Sequence, residues 1–234
     1  MARLFAGAML GLLLAGCDSK APPVQPVTPD ATAPAAVLAE EPVAGPERRI
    51  LAFGNSLFAG YNVTPEESYP ARLQAALRAR GINAEVVNAG VSGDTTQAGR
   101  ARLAFTLDAQ EVTPDLFILE LGGNDLLRGV PIEQTRANLA AMLAELRRRD
   151  IPVLLMGMRA PPNLGADYLA QYDAIYPDLA REYGAQLVPF FLQSIYDQPQ
   201  LIQQDRIHPT AQGIEALVAA TVEEVTRALP EENS

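Results

Sequence analysis

A single histidine occurs in the 234 residues, His208, and it lies three residues after Asp205 in the run Asp205-Arg206-Ile207-His208-Pro209. Near neutral pH imidazole is the side chain best suited to taking and returning a proton, so any histidine-dependent chemistry in this chain falls to His208. Taken alone, a lone histidine is more often a solvated loop residue. Partners for it stand elsewhere in the sequence. Ser56, in Gly54-Asn55-Ser56-Leu57, offers a hydroxyl that becomes nucleophilic when a base accepts its proton, and Asp205 offers a carboxylate to fix the imidazole tautomer. An attacked carbonyl turns into an oxyanion that needs preorganised donors; the backbone amides of Ser56 and Gly93 and the side-chain nitrogen of Asn124 are available. Together these residues have the chemistry of acyl transfer. Ser92, in Gly90-Val91-Ser92-Gly93-Asp94, competes as nucleophile, but Asp94 stands where the second glycine of a nucleophile elbow belongs, so Ser92 is expected to make local hydrogen bonds instead.

The elements that would position these residues follow from periodicity. Short apolar runs at Ile50–Phe53, Glu85–Asn88, Leu116–Leu121, Val153–Met158 and Gln186–Val188 read as strands. Between and after them lie amphipathic segments over Tyr69–Arg80, Thr95–Leu107, Ile132–Arg149, Asp167–Tyr183 and Thr210–Leu229, the first with Ser68 placed to cap its start and Gly81 to end it. Strands alternating with helices predict a parallel sheet covered on both faces, a three-layer αβα sandwich. Ligands in such sheets bind beyond the carboxyl ends of the strands. The Gly-bearing loops that hold Ser56, Gly93 and Asn124 each follow a strand, and the Asp205–His208 run precedes the last helix.

Four blocks, Gly54-Asn55-Ser56-Leu57 with Ala59-Gly60-Tyr61, Asn88 to Thr95, Gly122-Gly123-Asn124-Asp125, and Asp205 to Pro209, resemble in order the motifs of the SGNH, or GDSL, hydrolase superfamily. The stretch Leu119 to Asp125 followed by Leu127-Arg128-Gly129, with Tyr176-Pro177 and Pro189-Phe190-Phe191, is similar to its multifunctional thioesterase, lysophospholipase and arylesterase branch. The resemblance implies a flavodoxin-like sandwich of about five parallel strands. It also implies Ser56 as nucleophile, Ser56, Gly93 and Asn124 as the oxyanion hole, and Asp205 and His208 as the rest of the triad. The implied activity is hydrolysis of arylesters, lysophospholipids or acyl thioesters through an acyl-Ser56 intermediate. Two other readings stay open, a carbohydrate O-acetylesterase and a catalytically silent binding module of the envelope. The first block departs from the pattern, with Asn55 where Asp is usual, and this is expected to alter packing or electrostatics around Ser56 without abolishing activity. The loop Leu126–Pro131, through Leu126 and Leu127, is expected to close over the acyl chain.

Residues 1–16 hold one basic residue, Arg3, and an apolar run from Leu4 to Leu14 that is short for a membrane span, so they read as an export signal. They end in Leu14-Ala15-Gly16-Cys17, which resembles a bacterial lipoprotein cleavage box and implies lipidation of Cys17. Asp18 resembles a signal for retention at the inner membrane. Residues 17–47, rich in Pro and Ala, read as a tether, 48–230 as the hydrolase domain, and 231–234 as a tail. The expected location is the bacterial envelope, anchored to the membrane, with the domain in the periplasm. A formal net charge of -10 argues against nucleic acid as a partner. One cysteine allows no intrachain disulfide, and one cysteine with one histidine makes a zinc site implausible. No metal and no cofactor are expected, and the chain is expected to act as a monomer on a small acyl ester.

Overall fold

The computed structural model describes residues 43–231. The expected signal, Cys17 and the tether up to residue 42 lie outside the described residues, as do the last three residues.

Five strands, β1 (Arg48–Gly54), β2 (Ala84–Gly90), β3 (Leu116–Glu120), β4 (Val153–Met156) and β5 (Gln186–Val188), form one parallel sheet in the order β2-β1-β3-β4-β5. β1 and β3 are central, and their apolar runs, Ile50 to Phe53 and Leu116 to Leu119, are fully or almost fully buried. An unbroken apolar run is what a strand covered on both faces requires. Edge strand β2 instead mixes buried and exposed positions. Helices α2 (Tyr69–Ala79) and α8 (Ala211–Ala228) pack together, while α3 (Thr96–Asp108) packs on α5 (Ile132–Arg148) and α5 on α7 (Ile175–Tyr183). The fold is therefore the three-layer α/β sandwich the alternation implies, with the flavodoxin-like strand order.

Register decides where the loops begin. Gly54 at the end of β1 lies opposite Gly90 of β2 and Glu120 of β3, so these three form one row across the carboxyl edge of the sheet. The chain leaves the sheet immediately beyond that row. In this strand order the connections leaving β1 and β3 run to opposite sides of the sheet, and the crevice that opens between them is the expected binding position.

Several boundaries differ from the sequence reading. Two short helices, α1 (Ser56–Ala59) and α4 (Gly123–Leu127), occupy segments read as loops, because each is too short to show a hydrophobic period. The expected loop Leu126–Pro131 thus begins as the end of α4. The segment read as one helix over Asp167–Tyr183 is two, α6 (Ala166–Asp173) and α7, with the break at Ala174. Pro177 explains it: lacking an N–H, it cannot bond back to the carbonyl of Asp173 in a continuous helix. Ser68 occupies the cap position of α2, yet its hydroxyl donates to the Pro65 carbonyl at 2.7 Å rather than accepting from the helix. Ser92 is exposed, and its hydroxyl makes no hydrogen bond among the described residues, contrary to the local role expected of it.

Candidate active site

The site begins with the turn from β1 into α1. Asn55 is the residue before α1, and its Oδ1 accepts from the Leu57 amide at 2.9 Å, which satisfies a donor that a helix start otherwise leaves open. Ser56 is thereby the first residue of α1, held at the edge of the sheet. The turn is packed from below: a Cβ on Gly54 would lie 2.9 Å from both the carbonyl and the Oε2 of Glu120, and the Asn88 Nδ2 donates to the Phe58 carbonyl at 2.9 Å.

Ser56 Oγ lies 2.8 Å from His208 Nε2, and His208 Nδ1 lies 2.6 Å from Asp205 Oδ2. The three residues expected to act together are thus in one hydrogen-bonded line. With its proton on Nδ1, the imidazole presents the Nε2 lone pair to the serine hydroxyl. Burial pushes the Asp205 carboxyl up, but hydrogen bonds from His208 Nδ1 and from the backbone amides of Ile207 and His208 outweigh it and hold the carboxyl below its usual range. It therefore stays ionised at neutral pH.

Two contacts that the residue pattern does not reveal steady this line. The Tyr61 ring lies over the imidazole, with centroids 4.3 Å apart. Gln203 straps the two loops together, its Nε2 donating to the carbonyls of Tyr61 at 2.9 Å and Pro209 at 2.8 Å, while its amide donates to the His208 carbonyl at 2.7 Å. Tyr61 lies inside the first motif block, so its position was available from sequence but its stacking partner was not. Gln203 carries no motif signal.

The loops after β1, β2 and β3 each keep an N–H hydrogen to spare. The N–H groups of Ser56 and Gly93 donate to no other protein group among the described residues. Asn124 Nδ2 uses one hydrogen on the Asp94 carbonyl at 2.8 Å, which leaves its second hydrogen free and ties the loop after β3 to the loop after β2. Arg128 donates to the Gly93 carbonyl at 2.9 Å, and Arg102 pairs with Asp94 at 2.6 Å while donating to the Gly54 carbonyl at 3.1 Å. The loop that carries Gly93 is therefore pinned from three directions. Behind Asn124, Tyr176 and Tyr172 donate to the carbonyls of Leu121 and Gly122 at 3.0 and 2.9 Å. Gly122 has φ +116, and a Cβ there would lie 2.2 Å from the Tyr176 hydroxyl, so only glycine serves. The fully buried Asp125 accepts from the Thr96 amide at 2.8 Å and from the hydroxyls of Thr96 and Thr135, joining α3, α4 and α5.

An apolar cleft of about 220 Å³ opens beside Ser56 and Asn124. Leu126, Leu127, Met158, Leu192 and Ile195 line it, with Arg206 and Ile207 at the His208 side of the chain. Leu127 is 60% exposed and Leu126 is half-buried against the core. Both leucines therefore border the space where an acyl chain would run. Among the described residues no group of three or more His, Cys, Asp or Glu side chains is disposed to hold a metal ion.

A family model described as GDSL-like lipase/acylhydrolase matches residues 52–216, which takes in all of these loops. The chain belongs to that family. It is 41% identical over 161 residues, 69% of this chain and 80% of its relative, to an arylesterase of Vibrio mimicus. It is also 41% identical over 160 residues, 68% of this chain and 74% of the relative, to thioesterase 1/protease 1/lysophospholipase L1 of Escherichia coli strain K12. Among solved structures, the SGNH-hydrolase family esterase AlinE4 shares 60% identity with a TM-score of 0.68, covering 80% of this chain and 99% of that one. The protein is accordingly an ester-hydrolysing enzyme of the serine type.

Proposed function

We propose that the protein hydrolyses arylesters and lysophospholipids, and acyl thioesters in vitro, through an acyl-enzyme on Ser56. The reading is carried by the line from Ser56 Oγ through His208 to Asp205. Ser56 Oγ adds to the ester carbonyl while His208 Nε2 takes its proton, and Asp205 stabilises the imidazolium. The carbonyl oxygen, now negative, receives the N–H groups of Ser56 and Gly93 and the free hydrogen of Asn124 Nδ2. Collapse expels the alcohol, which takes the proton from His208. Water then attacks the acyl-Ser56 by the same route, releasing the carboxylic acid and restoring Ser56.

The cleft supports a short or medium acyl group, since it is apolar and, at about 220 Å³, lies below the roughly 300 Å³ at which pockets for drug-sized ligands begin. That lining counts against a sugar ester as the substrate, because a carbohydrate needs hydrogen-bonding partners there. The names of the curated relatives support arylester, thioester and lysophospholipid substrates. Cys17, lipidated after removal of residues 1–16, would hold the domain at a bacterial membrane within reach of lysophospholipids, through the tether over 17–47. All three residues of the line come from one chain, which supports a monomer as the working unit.

A fluorophosphonate probe and a panel of aryl esters of graded chain length test the reading. The parent chain and Ser92→Ala should label and turn over ester, while Ser56→Ala should lose labelling and roughly 10⁴-fold or more of kcat. Full turnover by Ser56→Ala would overturn it.

A further inference from the structure

Glu120 is fully buried, and no Lys or Arg pairs with it among the described residues. Both of its oxygens go to the residue before the nucleophile: Oε1 accepts from Asn55 Nδ2 at 3.0 Å and Oε2 from the Asn55 amide at 3.3 Å. Because Nδ2 faces Glu120, the amide orientation is decided, and Oδ1 must turn to the Leu57 amide. Oδ1 also lies 3.5 Å from Ser56 Oγ, a long contact beside the 2.8 Å one to His208. Gly54, across the register from Glu120, leaves the room in which the carboxyl lies.

We propose that Glu120 is a positioning residue that locks the Asn55 carboxamide, so that the nucleophile turn keeps one geometry and Ser56 Oγ bonds to His208. The proposal rests on Ser56 being the nucleophile. It also assigns a purpose to Asn55, which stands where the family name spells Asp. Nδ2–H is a donor present at every pH. A carboxylate at position 55 would face Glu120 with no donor, and the two acids would have to share a proton in a buried site. The turn would then hold only while that proton is bound. Asn55 thus frees the geometry of Ser56 from titration of its neighbour.

The ionisable groups around Glu120 leave it to Asn55. Tyr172 and Tyr176, reaching the carbonyls beyond β3 from α6 and α7, are kept neutral by burial, as is Tyr69 of α2, which bonds to Thr221 of α8. Arg102 of α3 stacks 3.7 Å from the Phe53 ring centroid and pairs with Asp94. Asp125 is taken up by Thr96 and Thr135, and Asp205 by His208.

The test measures kcat and KM across pH for the parent, Asn55→Asp, Glu120→Gln and Asn55→Asp/Glu120→Gln, with far-ultraviolet circular dichroism at each pH. Asn55→Asp should gain an alkaline limb, with kcat down about tenfold or more between about pH 7 and pH 9 while KM stays within about twofold. In the double variant the carboxamide introduced at position 120 should donate to the carboxylate introduced at position 55 and remove that limb. Glu120→Gln alone should lower kcat by about tenfold without a new limb, because a carboxamide can meet Nδ2 or the backbone amide as acceptor but not both. An Asn55→Asp profile that superposes on the parent overturns the proposal, and so does a double variant that keeps the limb. If Glu120→Gln fails to fold, the comparison of Asn55→Asp with the double variant still decides; a double variant that fails to fold as well counts against the proposal. Activity surviving in Ser56→Ala would instead refute the nucleophile assignment.

Discussion

At the scale of single residues, the side chains that hold Ser56 and His208 in place have their partners before substrate arrives. Asp205 is the clearest case. Its folded carboxyl is held below the ordinary aspartate value, so its contribution is present above that value and is lost only as pH falls through the lower folded one. Asp205 therefore keeps its charge through mild acid, so any fall of kcat/KM in that range should have a slope of one proton; a two-proton slope would place the carboxylate there too. Asp205→Asn should keep the fold and lose roughly 10⁴-fold in kcat, because the carboxamide no longer selects the tautomer or stabilises the imidazolium. Steady-state kinetics beside an unchanged circular dichroism spectrum checks this. At this scale the sequence was legible where chemistry demands a residue type. Ser56, Asp205 and His208, which the structure brings into one line, are such residues, and Asn124 borders the same cleft as Ser56. The roles of Glu120 and Asp125, though both lie in a motif stretch, and of Gln203 were not legible, because a carboxylate or amide that acts through its neighbours looks like any other polar residue until the register and loops are known.

At the scale of elements, backbone approaches backbone, and small residues permit it. A Cβ on Gly90 would lie 2.4 Å from the Ala59 amide nitrogen and 2.9 Å from the Asn55 carbonyl, both backbone atoms of the nucleophile turn. Gly90→Ala should therefore push α1 away from β2, cost about 1–3 kcal/mol by overpacking and lower kcat. Gly81→Ala is its control: Gly81 has φ +82 with nothing within 4 Å, so the change should cost about 1 kcal/mol through backbone strain alone and leave kcat unchanged. Urea denaturation with kinetics on the same samples separates the two. The strands and long helices were legible because their apolar periods run for several residues. The division of Asp167–Tyr183 at Ala174 was marked by Pro177 but overridden by a continuous amphipathic pattern. α1 and α4, at four and five residues, are shorter than any period can register, and they carry Ser56 and Asn124.

For the molecule as a whole, one buried acid biases stability with pH. Burial pushes Glu120 from 4.5 up to about 8, against the hydrogen bonds from Asn55 that lower it. A carboxyl whose folded value is raised binds its proton more tightly when folded, so folding stability falls as pH rises from about 4.5 towards 8. The urea midpoint of the parent should therefore fall between pH 5.5 and pH 8 by more than that of Glu120→Gln. Equal slopes would show that Glu120 keeps its proton affinity on unfolding. The separation of Ser56 and His208 by 152 residues has a kinetic meaning as well. Their bond cannot form until β1 is paired in the centre of the sheet and α8 has brought the far end of the chain back to it, and closing so long a loop is among the slower events of folding. A fluorophosphonate added during refolding would consequently act as a clock for that last encounter, reacting only with molecules in which the two ends of the domain have met.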